Sequence, residues 1–436
     1  MAAENQQTTM APAAGQTEKR SCATSPPDLR GLGTGVDGLE PYYDLVIVGA
    51  GLSGGVFAQR ASRELGLSCL MIDKRDHIGG NCYDFINQHG FRISKYGVHL
   101  FHTKYERVWE YINRFSEWMP YEHRVKGRIF QESCPEGKTV PIPPNQDTVN
   151  VLFGADVHSE EEMEAWLNAR RSVNESPKNG EEAALSRAGE ELYEAIFKHY
   201  TKKQWDKYPE ELDASVLMRI PVRTNTDDRY FTDPYQALPK DGYTRIFENM
   251  YLNNPLITIR LATDYFEVKD RLPKYDKLVF TGPIDAYYSS LGMPKLEYRS
   301  LFFEEEYHEP EGGYYQPVLQ LNYPGPSVPY TRIVEYKHKP NQPPEVYSKP
   351  GTCIFKEYSV DIGDPYYPVP NPKNQELYEK YKQLSEKEEG VVFVGRLASY
   401  KYFNMDQAIF NALEMFDKLV ESGKLTRKGA AEGVGR

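Results

Sequence analysis

Cysteine is scarce in this chain: five residues in 436, at Cys22, Cys69, Cys82, Cys134 and Cys353, with no C-x-x-C pair among them. A scattered, odd set supports neither a disulfide framework nor a zinc site, and it fits a reducing compartment. Long apolar runs are missing too, since none approaches the ~18 residues that a membrane-spanning helix needs. The segment Met1–Tyr42 has no hydrophobic stretch of the secretory type, and it is poor in large apolar side chains. It reads as a disordered tail, and the expected location is cytoplasmic. An excess of basic residues is also lacking: 52 Lys and Arg against 63 Asp and Glu leave a net charge of −11. That balance excludes a general nucleic-acid or anionic-membrane binder, so an anionic ligand needs a local pocket of Arg or Lys. There is no internal repeat and no heptad pattern.

What is present suffices for a large core and two or three subdomains, with 40% hydrophobic and 26% charged residues. Four short apolar runs look alike although far apart: DLVIVG at Asp44–Gly49, SCLMID at Ser68–Asp73, KLVFTG at Lys277–Gly282 and GVVFVG at Gly390–Gly395. Each is short, rich in β-branched or aromatic residues, and closed by Gly or Asp. They read as strands of one parallel sheet buried on both faces. One nucleotide-binding domain is then assembled from the start, middle and end of the chain. Between these pieces, Glu160–Arg171 and Ala183–Tyr200 have helical composition, and the acidic run Glu160–Glu164 reads as a solvated helix face. Residues 296–358 alternate aromatic and polar side chains with turns at Gly312-Gly313 and Pro324-Gly325, the pattern of antiparallel strands. Ile409, Leu413, Phe416 and Val420 lie at helical spacing before Gly423, predicting an amphipathic final helix.

Gly49-Ala50-Gly51-Leu52-Ser53-Gly54 is a G-x-G-x-x-G that follows a predicted strand and opens a helical stretch. Gly49 permits the tight turn, Gly51 lets backbone approach a pyrophosphate, and Gly54 lets helix and strand pack closely. The helix N-terminus then offers N–H donors and a positive dipole end to phosphates. Asp73 ends the second strand, where a carboxylate can accept both ribose hydroxyls of an adenosine half. The sequence continues DKRDHIGGN, with Arg75 and then Gly79-Gly80-Asn81. This resembles the second glycine motif of the glutathione-reductase-like flavoproteins, among them amine oxidases, phytoene desaturases and UDP-galactopyranose mutases. The resemblance implies FAD, with Gly395-Arg396 matching the segment that reaches the flavin.

Guanidinium groups and aromatic rings cluster in four places: Lys198–Trp205, Met218–Phe231, Val328–Arg332, and Pro365–Pro368 with Tyr400–Tyr402. Arg forks suit phosphate oxygens and aromatic faces suit a base or sugar. With 33 tyrosines in the chain, any single Tyr is more simply a core or rim residue. Arg219 and Arg332 sit among apolar residues, where an unpaired charge is costly. The segments YGVHLFHT at Tyr96–Thr103, WMPYEHRVKG at Trp118–Gly127, ELYEAIFKHYTKKQW at Glu191–Trp205, VPYTRI at Val328–Ile333 and VGRLASYKYFNMD at Val394–Asp406 resemble the UDP-galactopyranose mutase family, bacterial type. The likeness runs from about Tyr43 to Leu419.

That resemblance implies an α/β fold: a Rossmann-like FAD-binding domain of the glutathione-reductase-like kind, with a helical insert and an antiparallel β-sheet subdomain. The implied parts are a tail over 1–42, an FAD-binding domain over 43–118, 240–295 and 388–421, and a helical insert with a mobile lid over 148–220. An antiparallel substrate sheet over 119–147, 221–239 and 296–370 and a disordered end over 422–436 complete them. It implies that Arg219 and Arg332 clamp the UDP diphosphate. Phe197 and Tyr200 hold the uridine, Trp205 and Tyr230 lie along the pocket, and Tyr367, Tyr402 and Asn404 reach phosphate or sugar. Cofactor contacts fall to Gly49, Gly51, Ser53, Gly54, Asp73, Lys74, Gly80, Asn81, His99, His102, Gly395, Arg396, Met405 and Asp406. The H-x-x-H of His99 and His102 lacks a third ligand, so no metal is expected. Relatives carry Asp at Asn404 and Asn at His123.

The implied reaction interconverts UDP-galactopyranose and UDP-galactofuranose through a covalent adduct of the sugar with N5 of reduced FAD, without net redox. An NAD(P)H-linked or other reductant and a homodimeric assembly are compatible partners. Trp205–Arg229 reads as a lid that closes on the diphosphate, or as an ordinary surface connection. Two rivals share the scaffold: an FAD-dependent amine oxidase or desaturase, and a non-catalytic module like the GDP-dissociation inhibitors. The intact glycine fingerprint speaks against the second, and an Arg/Tyr-lined pocket against the first.

Overall fold

The computed structural model describes residues 32–251 and 254–428. Its central sheet is wholly parallel, with strands in the spatial order Gly33–Thr34, Ile257–Leu261, Cys69–Ile72, Tyr42–Val48, Lys274–Phe280 and Val391–Phe393. All four apolar runs singled out in the sequence therefore pair as neighbours. The sheet is buried on both faces, as a continuous apolar run requires: Leu45, Val46 and Ile47 are at most 1% exposed. Helices Leu52–Leu65 and Met405–Glu421 cover one face and meet edge to face at Phe57 and Phe416, 5.6 Å between ring centroids. Ile409, Leu413 and Phe416 of the final helix are buried as expected; Val420 is 37% exposed, and Leu419 fills the last buried position instead.

Two ends of the expected organisation change. Residues 1–31 of the supposed tail lie outside the described residues, but Gly33–Thr34 add an edge strand beside Arg260 and Leu261, and Val36 and Leu39 pack on the sheet. A two-residue strand leaves no periodic signal, so composition alone hides it. At the other end, Leu425 is buried and the Lys428 ammonium lies 3.0 Å from the Asp44 carboxylate, so the chain is docked at least to residue 428.

A second sheet of seven strands runs Tyr367–Pro368, Tyr298–His308, Thr352–Val360, Arg332–Glu335, Gln320–Asn322, Val125–Gln131 and Cys134–Ile142. All its pairs are antiparallel except Gln320–Asn322 with Val125–Gln131. Short helices cover one face of this sheet, where Val125, Ile129, Val140 and Ile142 meet Met163, Trp166, Leu192 and Phe197. The acidic run opens one of these helices: Ser159 Oγ accepts from the Glu162 N–H and Glu162 returns a carboxylate oxygen to the Ser159 N–H, a reciprocal cap. The helix expected over Ala183–Tyr200 is interrupted. It stops at Gly189, resumes with the short α-helical turn Glu190–Leu192, and passes through a π-helical turn at Tyr193–Lys198 before the α-helix His199–Trp205.

Tyr235–Pro239, expected in the antiparallel substrate sheet, pairs instead with Phe101–Thr103 and Trp118–Pro120 in a small third sheet. That sheet ties the histidine segment to the aromatic loop before Tyr235.

Candidate functional site

At the C-terminal edge of the parallel sheet, the first strand turns into its helix through the three glycines. Gly49 has φ 107°, and a Cβ there would sit 2.1 Å from Thr281 Oγ1. A Cβ on Gly54 would strike the Gly49 carbonyl oxygen at 2.0 Å, so only glycine lets helix and turn approach this closely. The turn is also where the sheet's strand order reverses, because the chain leaves Tyr42–Val48 for Cys69–Ile72 on one side and later adds Lys274–Phe280 on the other. Open α/β sheets bind ligands at such a point.

A cavity of about 330 Å³ opens there. Eleven of the fourteen residues expected at the cofactor line it: Gly49, Gly51, Ser53, Asp73, Lys74, Gly80, Asn81, His99, Gly395, Arg396 and Met405. Asn404, expected at the substrate, lines the same cavity. Gly54, His102 and Asp406 do not line it; Gly54 packs beneath the turn. Asp73 is buried, and its two oxygens accept from the Ala50 N–H at 2.8 Å and the Arg75 N–H at 2.9 Å. Burial raises its pKa, and these two donors offset part of that rise. At the rim, Lys74 does not point free into the cavity. Its ammonium pairs with Asp364 at 2.6 Å, and Arg75 reaches the same carboxylate at 3.1 Å.

His99 is pushed down to about 4 by burial, so it is neutral near pH 7. Its Nδ1 lies 2.8 Å from the Gly97 carbonyl, which can only accept, so Nδ1 carries the proton and Nε2 is left as an acceptor. His102 is held differently, with Nδ1 2.7 Å from Asp233 Oδ2 and its ring stacked on Phe231 at 3.6 Å. The two histidines thus serve different neighbours, and among the described residues no His, Cys, Asp and Glu cluster could hold a metal ion. Asp406, in the first turn of the final helix, is buried with Oδ1 unpartnered, and burial raises its pKa.

The aromatic and guanidinium residues converge beside this cavity. Tyr367 and Tyr402 stack at 5.0 Å, and Trp205 leans on both at 6.3 and 5.8 Å. The Arg219 guanidinium carbon lies 4.2 Å over the Tyr402 ring, on an exposed short helical turn after Ser215–Met218. Arg332 donates through Nε at 2.8 Å and through Nη2 to one oxygen of Glu357, which is 2% exposed. Burial pulls the Arg332 pKa down, but Glu357, with the Tyr200 and Tyr367 hydroxyls nearby, holds it well above the ordinary value. Tyr200 is half-buried in the field of Arg332 and Glu357, with Tyr230 and Tyr402 beside it, and burial raises its hydroxyl pKa. Phe197 is 4% exposed and belongs to the core of the helical part, against which Tyr230, Tyr367 and Tyr402 pack. His123 is buried, pushed down to about 3, and accepts through its carbonyl from the Tyr230 N–H at 2.7 Å.

Arg396 belongs to both groups. It lines the cavity, donates to the Phe403 carbonyl, and stands 5.7 and 5.6 Å over the Tyr367 and Tyr402 rings. Sequence reasoning missed three partners that hold this arrangement: Glu357, Asp233 and Asp364. Glu357 carried a signal, as an acid in an otherwise inward-facing position of an aromatic strand; the other two lie in polar loops with none.

A family model described as UDP-galactopyranose mutase matches residues 195–402, and one described as an NAD(P)-binding Rossmann-like domain matches residues 47–115. The chain is 41% identical over 385 residues to a probable UDP-galactopyranose mutase of Klebsiella pneumoniae, covering 87% of this chain and 95% of that one. It is 36% identical to a dTDP-fucopyranose mutase of Escherichia coli, covering 87% and 99%, and 30% identical to a UDP-galactopyranose mutase of Mycoplasma pneumoniae, covering 87% and 96%. Among solved structures, a reduced UDP-galactopyranose mutase superposes with a TM-score of 0.68 over 90% of this chain and 96% of that one, at 18% identity. A putative protoporphyrinogen oxidase from Exiguobacterium shares the fold with a TM-score of 0.58, at 13% identity over 89% and 100%.

Proposed function

The chain belongs to the UDP-galactopyranose mutase family, and from that premise we propose that it interconverts UDP-galactopyranose and UDP-galactofuranose as an FAD-dependent isomerase of glutathione-reductase-like fold. The observation that carries this reading is Arg396, which joins the dinucleotide cavity to the Arg219, Arg332 and tyrosine set. An oxidoreductase acting on an apolar substrate has no use for two guanidinium groups there.

The residues present fit FAD. A Cβ on Gly80 would come within 2.9 Å of the Gly51 Cα, so the two glycine segments leave a bare backbone cradle suited to a pyrophosphate. Asp73 stands at the strand end for the ribose, and Asn404 and Met405 bring the N-terminus of the final helix to the far end. When bound and reduced, FAD supplies an electron-rich N5 that can attack the anomeric carbon, and the overall reaction consumes no electrons.

The chain's own residues do the rest. Arg332, desolvated and oriented by Glu357, meets the diphosphate with a preformed positive charge, which stabilises the leaving group most as its charge grows. Arg219, on its exposed turn over Tyr402, adds a second guanidinium from the lid side. Trp205, Tyr230, Tyr367 and Tyr402 enclose the sugar and keep water away from the reacting carbon. Neutral His99 offers an acceptor nitrogen at the cavity wall and brings no charge.

The test is an anaerobic assay of the purified protein with UDP-galactofuranose and, in parallel, dTDP-fucofuranose, before and after reduction by dithionite. Conversion of the first only after reduction, with no cofactor oxidation per turnover, is the expected result. Stoichiometric loss of electrons into product, or preference for the second sugar, overturns the reading.

A further inference from the structure

The geometry points to Lys203 as a positioning residue: its ammonium staples the helix that carries Tyr200 and Trp205 to the loop that delivers Arg332. This rests on the reading of that region as the nucleotide-sugar site.

Lys203 lies in the helix His199–Trp205, three residues after Tyr200 and two before Trp205. An ammonium has three N–H donors. Here Nζ donates to the carbonyls of Tyr323, of Val328 at 3.2 Å and of Tyr330 at 3.0 Å, all in one loop. That loop follows the strand Gln320–Asn322 and runs directly into the strand Arg332–Glu335. Its mouth is closed by the Tyr323 N–H to the Thr331 carbonyl at 2.9 Å, and the Thr331 N–H continues to the Glu357 carbonyl at 2.8 Å. Pro324, Pro326 and Pro329 lack an N–H, so the loop has few donors of its own for its carbonyls. Lys203 supplies them from another element.

Holding a cation there is costly. Burial pushes the Lys203 pKa down to about 8, and no carboxylate among the described residues pairs with it. A packed apolar side chain would give the helix as much stability without that cost. What only the ammonium gives is a fixed separation between the ring-bearing helix and the strand of Arg332. Ser359 Oγ, two residues after Glu357, also donates to the Gln204 carbonyl at 2.5 Å, so the same helix is tied on both sides of the Arg332–Glu357 pair. A nucleotide sugar bridges the two halves, and its affinity depends on their spacing.

The experiment uses the FAD-loaded protein. Lys203→Cys is made, and UDP binding, KM and kcat are measured before and after alkylation with 2-bromoethylamine, which rebuilds a lysine-like ammonium. Wild-type protein treated in parallel controls for the native cysteines. The expected result is roughly tenfold or greater weakening of UDP binding and a matching rise in KM, with kcat changed much less, and recovery to within about threefold on alkylation. Wild-type UDP affinity in Lys203→Cys overturns the proposal, and so does a loss that alkylation fails to restore. Loss of bound flavin or of the cooperative melt in both Lys203→Cys and Lys203→Met also overturns it, since Lys203 would then be holding the fold. Arg332→Ala separates the two readings: if that variant binds UDP as tightly as wild type, the substrate-site assignment fails whatever Lys203 does.

Discussion

Replacing Glu357 by Gln tests whether Arg332 is a charge held in store for a diphosphate. Glu357 is 2% exposed and Arg332 directs both Nε and Nη2 to one of its oxygens. Gln keeps the shape and one acceptor, so the side chains need not move, but it removes the only carboxylate among the described residues that pairs with this guanidinium. Deleting a whole partner from a buried pair costs ~3–5 kcal/mol. With an acceptor retained, the loss is that of a charge-assisted hydrogen bond becoming a neutral one, about 1.5–3 kcal/mol. At the shallow slope expected of a large chain, ~2 °C per kcal/mol, the melting temperature falls by roughly 3–6 °C. Arg332 stays protonated at any accessible pH, its pKa lying well above the ordinary value in the native protein, so the deficit does not disappear on alkalinisation. The discriminating measurement is the melt with saturating UDP. On the proposed reading, the diphosphate in the wild type shares the guanidinium with a nearby carboxylate, and in Glu357→Gln it has no carboxylate to share it with. UDP therefore raises the melting temperature of the variant by more than it raises that of the wild type. An unchanged melting temperature without ligand, or a smaller UDP increment in the variant, refutes the reasoning.

Asp364→Ala removes the carboxylate that Lys74 and Arg75 share over the cavity rim. Both pairs are partly solvated and worth ~0.5–1 kcal/mol, so FAD fluorescence should report dissociation roughly two- to fivefold faster, with a weaker dependence on salt; an unchanged rate removes Asp364 from the rim latch. Gly54→Ala places a Cβ 2.0 Å from the Gly49 carbonyl oxygen and should yield protein with little bound flavin, read from its visible absorbance, whereas a normal flavin content would mean the turn can yield. Burial pushes His77 and His99 down to about 4 and His123 to about 3. A folded-state pKa below the unfolded value of ~6.5 means that the unfolded chain binds more protons in that interval, so these groups stabilise fully above pH ~6.5 and lose that contribution as pH falls toward 4. Melting temperature should drop across that window, at up to about 1.4 kcal/mol per pH unit for each histidine, and His123→Gln should make the drop shallower. An identical pH slope in the variant contradicts the burial argument.

The parts of the fold that could be read from sequence are those whose requirement is local. The glycines at 49, 51 and 54 are each demanded by their own turn or its immediate neighbour, and the four apolar runs announce burial on both faces without reference to anything distant. The missing strand Ile257–Leu261 shows the limit. Its exposure alternates, because Thr258 and Arg260 are only half-buried near the sheet edge formed by Gly33–Thr34, and so it lacks the unbroken run that marked the others. Asp233 and Asp364 were invisible for a related reason: each is one acid in a polar loop, and only tertiary contact aims it at His102 or at Lys74 and Arg75.

Arg332 and Glu357 show why the site is harder to read than the fold. They are 25 positions apart, and they sit directly opposite each other in the antiparallel register that also pairs Ile333 with Lys356 and Val334 with Phe355. The aromatic alternation predicts the strands but does not fix which rung meets which, since many registers satisfy an alternating pattern about equally well. One rung decides the chemistry. A slip of one residue would turn Glu357 to the opposite face and bring Lys356 or Tyr358 against Arg332, leaving a half-buried guanidinium beside a cation or a phenol. The constraint on this protein therefore falls on strand register, and the proposed clamp for the diphosphate is a product of pairing that no single segment of the sequence contains.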